Sequence, residues 1–355
     1  MKIALINDQL NAGGAEKVLV NMANLLHSKG VQVVVVLYMS PSALDAQLHP
    51  SIPVHYLRRK SKWHFGAMLA LKKAVHNCDI VHIHSRYNLR YFMVARYLTG
   101  IFHPKVVFHE HVPGYESLDR FTRFLLKQVD AYIAVLQPIC TWAANNKIAA
   151  SNKIFFLPNA VNPPAVAIDR NQFTPKKILL TANFRAVKNH RFAIEVMRAL
   201  GSGYTLDLLG TVEEHQYFLE LQNFIRQKDL GHRVRIIQGV TNLYDVLDEY
   251  HFALHTATKE TGPLVLLEYM HARLPFLTYN TGDVAEKIKG SIPELVVESF
   301  EIKEWTQRVE QVILHQRKMT HAVQQCAKLI SQHYGEAAYG DQLEKIYRFA
   351  LQTKQ

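Results

Sequence analysis

The sequence is short of cysteine: three in 355 residues, Cys78, Cys140 and Cys326, odd in number, widely spaced and with no CxxC pair. That pattern excludes a disulfide framework and a cysteine zinc site, and it fits a reduced, cytoplasmic chain. Glycine (16) and proline (13) are modest beside 48% apolar residues, so the chain reads as globular and ordered. No run approaches the roughly 20 apolar residues of a membrane span. The apolar start MKIALIND is too short for a signal peptide and reads as a first strand. No RNA-recognition or zinc motif is present, which argues against a specific nucleic-acid partner.

Acidic residues are scarce in one half only. Residues 1–165 carry 18 Lys and Arg against 8 Asp and Glu, and the remainder 23 against 22, so the net charge of +11 sits almost wholly in the first half. Such a surface suits nucleic acid, anionic lipid or an acidic substrate. In RRKSKWHFGAMLALKK, residues 58–73, a basic patch precedes apolar Trp63, Phe65, Met68, Leu69 and Leu71. Two readings stand: an amphipathic helix resting on anionic headgroups, or a solvated basic loop feeding a core helix.

The length suits two domains. In the first half, strand-type runs at 3–6, 31–38, 54–57, 79–84, 105–109 and 131–136 alternate with helical patterns starting at Ala15 and over 65–76, 89–98, 118–128 and 138–146. The alternation predicts βαβ units, a parallel sheet and an α/β, Rossmann-like domain. The stretch FFLPNAVNPP at 155–164 and its proline-rich tail form the linker candidate, with a boundary near residue 168. Beyond it, strands at 177–182, 204–209, 234–237 and 252–256 alternate with helices at 191–200, 213–227 and 242–249; 305–329 and 334–351 are helical. The domains expected are therefore 1–168, with 335–355 packing back onto it, and 169–334.

Chemistry-bearing residues gather where such strands end. His82 and His84 share one face of DIVHIHS and read as structural; His109, Glu110 and His111 leave a strand at its carboxyl end, where ligands bind in parallel sheets. A metal held by His109 and His111 lacks a clear third ligand, so no metal site is expected. Gly13 and Gly14 open the first helix, without the GxGxxG spacing of a dinucleotide turn. Arg185 and Lys188 stand in the turn NFRAVKNH between a strand and a helix, a place to grip phosphates. In KETGPLVLLEYMHARLPFLTYN, 259–280, Gly262 and Pro263 suit a helix start, and Glu268 falls inside an apolar run where a carboxylate needs a partner. A buried ion pair is one account of Glu268. A ligand with hydroxyls and phosphates, seated at the helix mouth, is the other.

Glu260 and Glu268, with seven residues between them and a Leu-Pro turn into a strand after them, resemble the motif of retaining glycosyltransferases with two Rossmann-like domains, the GT-B architecture of family 4 type. The resemblance extends to Gly13-Gly14-Ala15-Glu16, to Lys188-Asn189 in place of Lys-Gly, and to the strand-ending His109, where Glu110 replaces an Asp. It covers Pro158, Asn159 and Val161 of a Pro-Asn-Gly-Val-Asp exit, with Ala160 and Asn162 departing. Counting back five places from Lys188 for the family's Arg lands on Asn183, which leaves Arg185 to serve from a shifted position.

The resemblance implies two domains facing across a cleft, a C-terminal helix crossing back to the first, and retaining sugar transfer from a nucleotide-sugar. The donor expected is a UDP-sugar, with a GDP-sugar the alternative. The acceptor is a glycan or a polyprenyl-linked lipid, met at the inner face of a membrane. No cofactor or metal is implied, and no DxD pair occurs in the chain. By the same resemblance His109 and Glu260 orient the sugar, Lys188 and Arg185 hold the diphosphate, and Glu268 holds the ribose. Gly262, Pro263 and Leu264 present the helix start, Gly13 and Gly14 border the sugar, Val240 lies by the base and Thr281 near the diphosphate. A sugar-nucleotide epimerase or phosphorylase of the same architecture, and a catalytically silent nucleotide-sugar or glycan-binding subunit, remain the rivals.

Overall fold

The computed structural model describes residues 1–11, 13–111, 118–160, 177–314 and 316–353. The chain divides into two compact units, Met1–Ala160 with Glu336–Gln355, and Val161–Gly335. The boundary expected near residue 168, with Val161 and Asn162, lies outside the described residues.

The first unit is built on seven strands: β1 (Lys2–Asn7), β2 (Gln32–Leu37), β3 (Val54–Tyr56), β4 (Ile80–His84), β5 (Lys105–Glu110), β6 (Ala131–Ala134) and β7 (Ile154–Phe156). Between them run α1 (Gly14–Ser28), α2 (Phe65–Val75), α3 (Arg86–Thr99), α4 (Arg120–Leu126) and α5 (Gln137–Asn145). Every strand pairing is parallel, in the order β3-β2-β1-β4-β5-β6-β7. Strands covered by helices on both faces must be apolar on both, and β1, β4 and β6 are buried almost end to end. The helix ends are written locally. Ser85 caps α3 at the Asn88 N–H, Asp119 caps α4 at the Thr122 N–H (2.9 Å), and Gly100, left-handed at φ 72°, stops α3.

The second unit repeats the plan with six strands: β8 (Lys177–Thr181), β9 (Thr205–Leu209), β10 (Val234–Ile237), β11 (Phe252–His255), β12 (Phe276–Tyr279) and β13 (Val296–Val297). Their order is β10-β9-β8-β11-β12-β13, again parallel throughout. The helices are α6 (His190–Ala199), α7 (His215–Gln227), α8 (Leu264–His271), α9 (Gly282–Ser291), α10 (Ile302–Leu314) and α11 (Gln316–His333). The last helix, α12 (Glu336–Gln352), belongs to the first unit, where it packs on β5, β6 and α1 and buries Leu343, Ile346 and Tyr347. Each unit has its own apolar core, so the α/β, twice Rossmann-like architecture read from the sequence is the one observed.

One element differs from expectation. The helix expected over 242–249 is instead two 3-10 turns, Leu243–Asp245 and Leu247–Glu249. Asn242 hydrogen-bonds the Asp245 carboxylate (2.6 Å), and such local side-chain bonds compete with a helix of so few residues. Among the described residues no helix is long and apolar enough to cross a membrane.

Candidate functional site

In the second unit the chain leaves β8 in one direction, to β9 and β10, and later returns on its other side as β11, β12 and β13. The loops after β8 and β11 therefore part at the point where strand order reverses, the place where open parallel sheets bind ligands. The loop after β8 ends in a 3-10 turn, Ala186–Lys188, followed by Asn189 in the left-handed region at φ 55°. Asn is one of the few side chains that tolerates this conformation, which accounts for Asn where the resemblance has Gly.

The two loops are stitched together. The Thr256 hydroxyl lies 3.1 Å from the carbonyls of both Lys188 and Asn189, and the Thr258 N–H donates to the Val187 carbonyl at 2.8 Å. This fixes the Lys188 ammonium against the Glu260 carboxylate. His255, the last residue of β11, reaches Glu260 with Nε2 (3.4 Å) and the Thr278 hydroxyl on β12 with Nδ1 (2.9 Å). The Thr278 hydroxyl itself lies 2.9 Å from the Tyr279 carbonyl. Burial alone pushes the Glu260 carboxyl up. The His255 hydrogen bond and the Lys188 charge outweigh it and bring the carboxyl down to about 2.

The loop after β12 closes the site. Thr281 accepts the Glu260 N–H at 3.0 Å, and the Asp283 N–H donates to the Thr261 carbonyl at 2.8 Å. Between them Gly282 stands at φ 81°, and a Cβ there would fall 2.4 Å from the Thr261 carbonyl oxygen. Only glycine fits this close approach. Pro263 occupies the capping position of α8 and Leu264 its first turn, one residue later than the expected start. Glu268 is 8% exposed on α8, and the helix is pinned to the sheet by the Tyr269 hydroxyl, which accepts the Thr181 N–H of β8 (3.0 Å). Tyr244 stands beside Glu268: burial first, then the Glu268 charge, pushes its phenol up, and its hydroxyl is buried without a hydrogen-bond partner among the described atoms. Val240 is half-buried on the loop after β10; the base contact expected over Val240 to Leu243 stops one residue short of Tyr244.

Arg185 is placed differently from Lys188. It is half-exposed and paired with Glu213 (3.5 Å) and Glu214 (3.4 Å), which precede α7. Glu214 also accepts the Ala186 N–H (2.8 Å). The structure thus brings Lys188, Glu260, Thr281 and Gly282 together and ties Arg185 to a separate pair of acids.

In the first unit Gly13 caps α1 and Gly14 begins it; the space beside Gly14 is open, whereas the Glu16 carboxylate lies over Gly13. The strand-order reversal here falls between β1 and β4, bridged by Asn88, whose Nδ2 donates to Asn7 Oδ1 (2.6 Å) and to the His84 carbonyl (2.7 Å). The histidines expected as two separate groups form one cluster. His84 and His109 are register partners on β4 and β5, His82 follows on the same face, and ring centroids lie 4.9 to 5.3 Å apart. His82 Nδ1 meets the Tyr347 hydroxyl of α12 (2.7 Å), and its Nε2 faces His109 Nδ1 (3.3 Å). His84 Nδ1 meets His111 Nε2 (2.9 Å). Nε2 of His84 and Nε2 of His109 are buried without partners among the described atoms. Burial, then the neighbouring imidazoles, holds His84 and His109 well below the ordinary histidine range, and brings His82 to about 3. One nitrogen each from His82, His84 and His109 lie within 4.8 Å of one another, close enough to hold a metal ion. Glu110 is bound by Arg86 (2.6 Å).

By sequence, no curated protein matches the chain. Two family models do: Glycosyltransferase Family 4 over residues 12–164 and Glycosyl transferases group 1 over 167–329. Among solved structures, Alr3699/HepE of Anabaena in complex with UDP-glucose superposes with a TM-score of 0.80 at 16% identity, covering 97% of this chain and 98% of that one. A glycosyltransferase of Rickettsia africae gives 0.77 at 15% identity, covering 99% of each chain. A mutant of S. aureus TarM, solved with Fondaparinux, alpha-GlcNAc-glycerol and UDP, gives 0.77 at 10% identity, covering 98% of this chain and 99% of that one. With one family model on each half and this pair of parallel sheets, the chain belongs to the GT-B glycosyltransferases of the family 4, group 1 type.

Proposed function

We propose that this glycosyltransferase moves a sugar from a UDP-sugar to a hydroxyl of a glycan or lipid-linked acceptor, with retention and without a metal ion, in the cytoplasm. Surface polysaccharide or glycolipid assembly is the setting this suits. The observation that carries the reading is the convergence of Lys188, Glu260 and the mouth of α8 where strand order reverses in the second unit. Structures of the same fold holding UDP and UDP-glucose support the choice of donor.

In this reading the second unit binds the donor. Glu268 accepts the ribose hydroxyls beside Tyr244, the loop at Val240 meets the base, and the diphosphate lies between Lys188 and Thr281. Gly262, Pro263 and Leu264 direct the first N–H groups of α8, which have no partner within the helix, at the phosphates. Arg185 reaches the diphosphate only by releasing Glu213 and Glu214, so Lys188 carries the larger share. The bond from the sugar's anomeric carbon to phosphate oxygen breaks, and UDP departs with the electron pair. The acceptor oxygen attacks the face being vacated, and its proton passes to the departing phosphate oxygen. A fixed cation and helix dipole stabilise that growing charge without reorganising. Glu260, ionised at any working pH, accepts a sugar hydroxyl. In the first unit, which takes the acceptor, Gly14 leaves the start of α1 open beside the sugar, and His109, buried at the end of β5, acts only through a hydroxyl that reaches its Nε2.

A thermal-shift screen against nucleotides and nucleotide-sugars tests this, since a ligand of the folded state raises the melting temperature. The expected result is a shift with UDP and one UDP-sugar, unchanged by EDTA. A shift with no nucleotide, or one abolished by EDTA, contradicts the reading.

A further inference from the structure

Buried polar atoms in a folded chain almost always have a partner, so one that lacks it calls for an explanation. Tyrosine hydroxyls of the second unit follow the rule. Tyr217 accepts the His190 N–H (3.0 Å), Tyr269 accepts the Thr181 N–H (3.0 Å), Tyr250 donates to Asp207 (2.9 Å) and Tyr334 to Asp283 (3.0 Å). Tyr244 departs from it: its hydroxyl is buried and meets no partner among the described atoms.

Tyr244 stands in the 3-10 turn Leu243–Asp245, on the loop that leaves β10 at its carboxyl end, where parallel sheets bind ligands. Asn242 braces the turn through the Asp245 carboxylate (2.6 Å), and Leu243 is buried. The Tyr244 ring meets His271 of α8 edge to face, with centroids 6.2 Å apart at 90°. His271 lies three residues after Glu268, hence on the same face of the helix, and its Nδ1 is also buried without a partner among the described atoms. The Glu268 charge reaches the Tyr244 phenol, yet no hydrogen bond joins the two.

Burial, then the Glu268 charge, holds the Tyr244 proton in place, so the hydroxyl is a donor at every working pH. What completes the pair must offer an oxygen that accepts from Tyr244 and a proton that Glu268 accepts. A hydroxyl does both. A phosphate oxygen does only the first, and Glu268 repels it.

We propose that Tyr244 is a nucleotide-binding residue: its phenol donates to a ribose hydroxyl whose own proton goes to Glu268, so that the two side chains clamp the ribose. This rests on the UDP site proposed above and adds to it the group that senses whether that hydroxyl is present. A nucleotide lacking it leaves Tyr244 unpaired, as in the free protein, and forfeits the bond.

Titration calorimetry of UDP and of its 2′-deoxy and 3′-deoxy forms against wild type and Tyr244→Phe, with melting temperatures of the free proteins, tests it. Tyr244→Phe removes an oxygen that has no partner, so the free variant should melt no lower than wild type and up to about 4 °C higher. Its affinity for UDP should fall about five- to tenfold. One of the deoxy nucleotides, already without the contacted hydroxyl, should bind wild type and variant alike. Tyr250→Phe gives the contrasting signature of a structural hydroxyl, a lower melting temperature with UDP affinity unchanged. A lowered melting temperature for Tyr244→Phe, undiminished UDP affinity, or an equal loss for UDP and both deoxy forms overturns the proposal. Undiminished affinity leaves the UDP site standing without Tyr244, whereas a wild type that binds no nucleotide removes both.

Discussion

The ammonium of Lys188 is paired with the carboxylate of Glu260, 72 residues away, across the point where the strand order of the second unit reverses. In the proposed function an incoming diphosphate competes with Glu260 for its cation. Glu260→Gln should release Lys188 and leave UDP binding equal or tighter while turnover falls about a hundredfold, because a neutral amide meets the sugar less well. Lys188→Met should weaken UDP binding and turnover together, by about ten- to a hundredfold in affinity. Calorimetry for UDP and steady-state kinetics on both variants check the split; parallel losses in the two contradict it.

The backbone of the site is also under test. Gly282→Ala places a Cβ against the Thr261 carbonyl at a positive φ and should destabilise the second unit by about 2 kcal/mol. Asn189→Val should cost about 1–2 kcal/mol, the penalty for a side chain less suited to the left-handed region, whereas Asn189→Gly should be nearly neutral. Urea unfolding monitors all three.

Acid should strike the first unit early. His82, His84 and His109 bind a proton less readily folded than unfolded, because burial disfavours the imidazolium. The stability they contribute is complete above the ordinary value of 6.5 and is lost as pH falls towards their folded values, about 3 for His82. At pH 5 the loss is about 2 kcal/mol for His82. Glu260 acts lower: its contribution is complete above the ordinary 4.5 and is lost only as pH falls to about 2. Melting temperatures from pH 7.5 to 4 should thus fall before any carboxylate of ordinary pKa is half protonated. A flat profile down to pH 5 contradicts this.

Much of this was legible in the chain. Parallel strands covered on both faces must be continuous apolar runs, so β1, β2, β4, β5 and β8 stand out in the sequence, and the carboxyl end of β5 marks His109 in the first unit as that of β8 marks the Lys188 loop in the second. Strand order and register are tertiary facts. The pairing of His84 with His109 follows only once β4 and β5 are known neighbours, and it merges histidines that the sequence presents as two groups. The two-strand spacing of DIVHIHS and VVFHEHV was the available signal. The pairing of Arg185 with Glu213 and Glu214 had no mark in the sequence, because the position of those acids depends on β9. Tyr244 was hidden in a segment read as helical, where its direction towards Glu268 had no sequence mark.

The central claim is that the second unit grips a nucleotide-sugar, with Glu268 on the ribose. Titration calorimetry of UDP against wild type and Glu268→Ala, with melting temperatures confirming both are folded, tests it most directly. A loss of about tenfold or more in affinity on removing Glu268, smaller for a nucleotide lacking the ribose hydroxyls, is the result expected. Equal affinity of wild type and variant for UDP contradicts it.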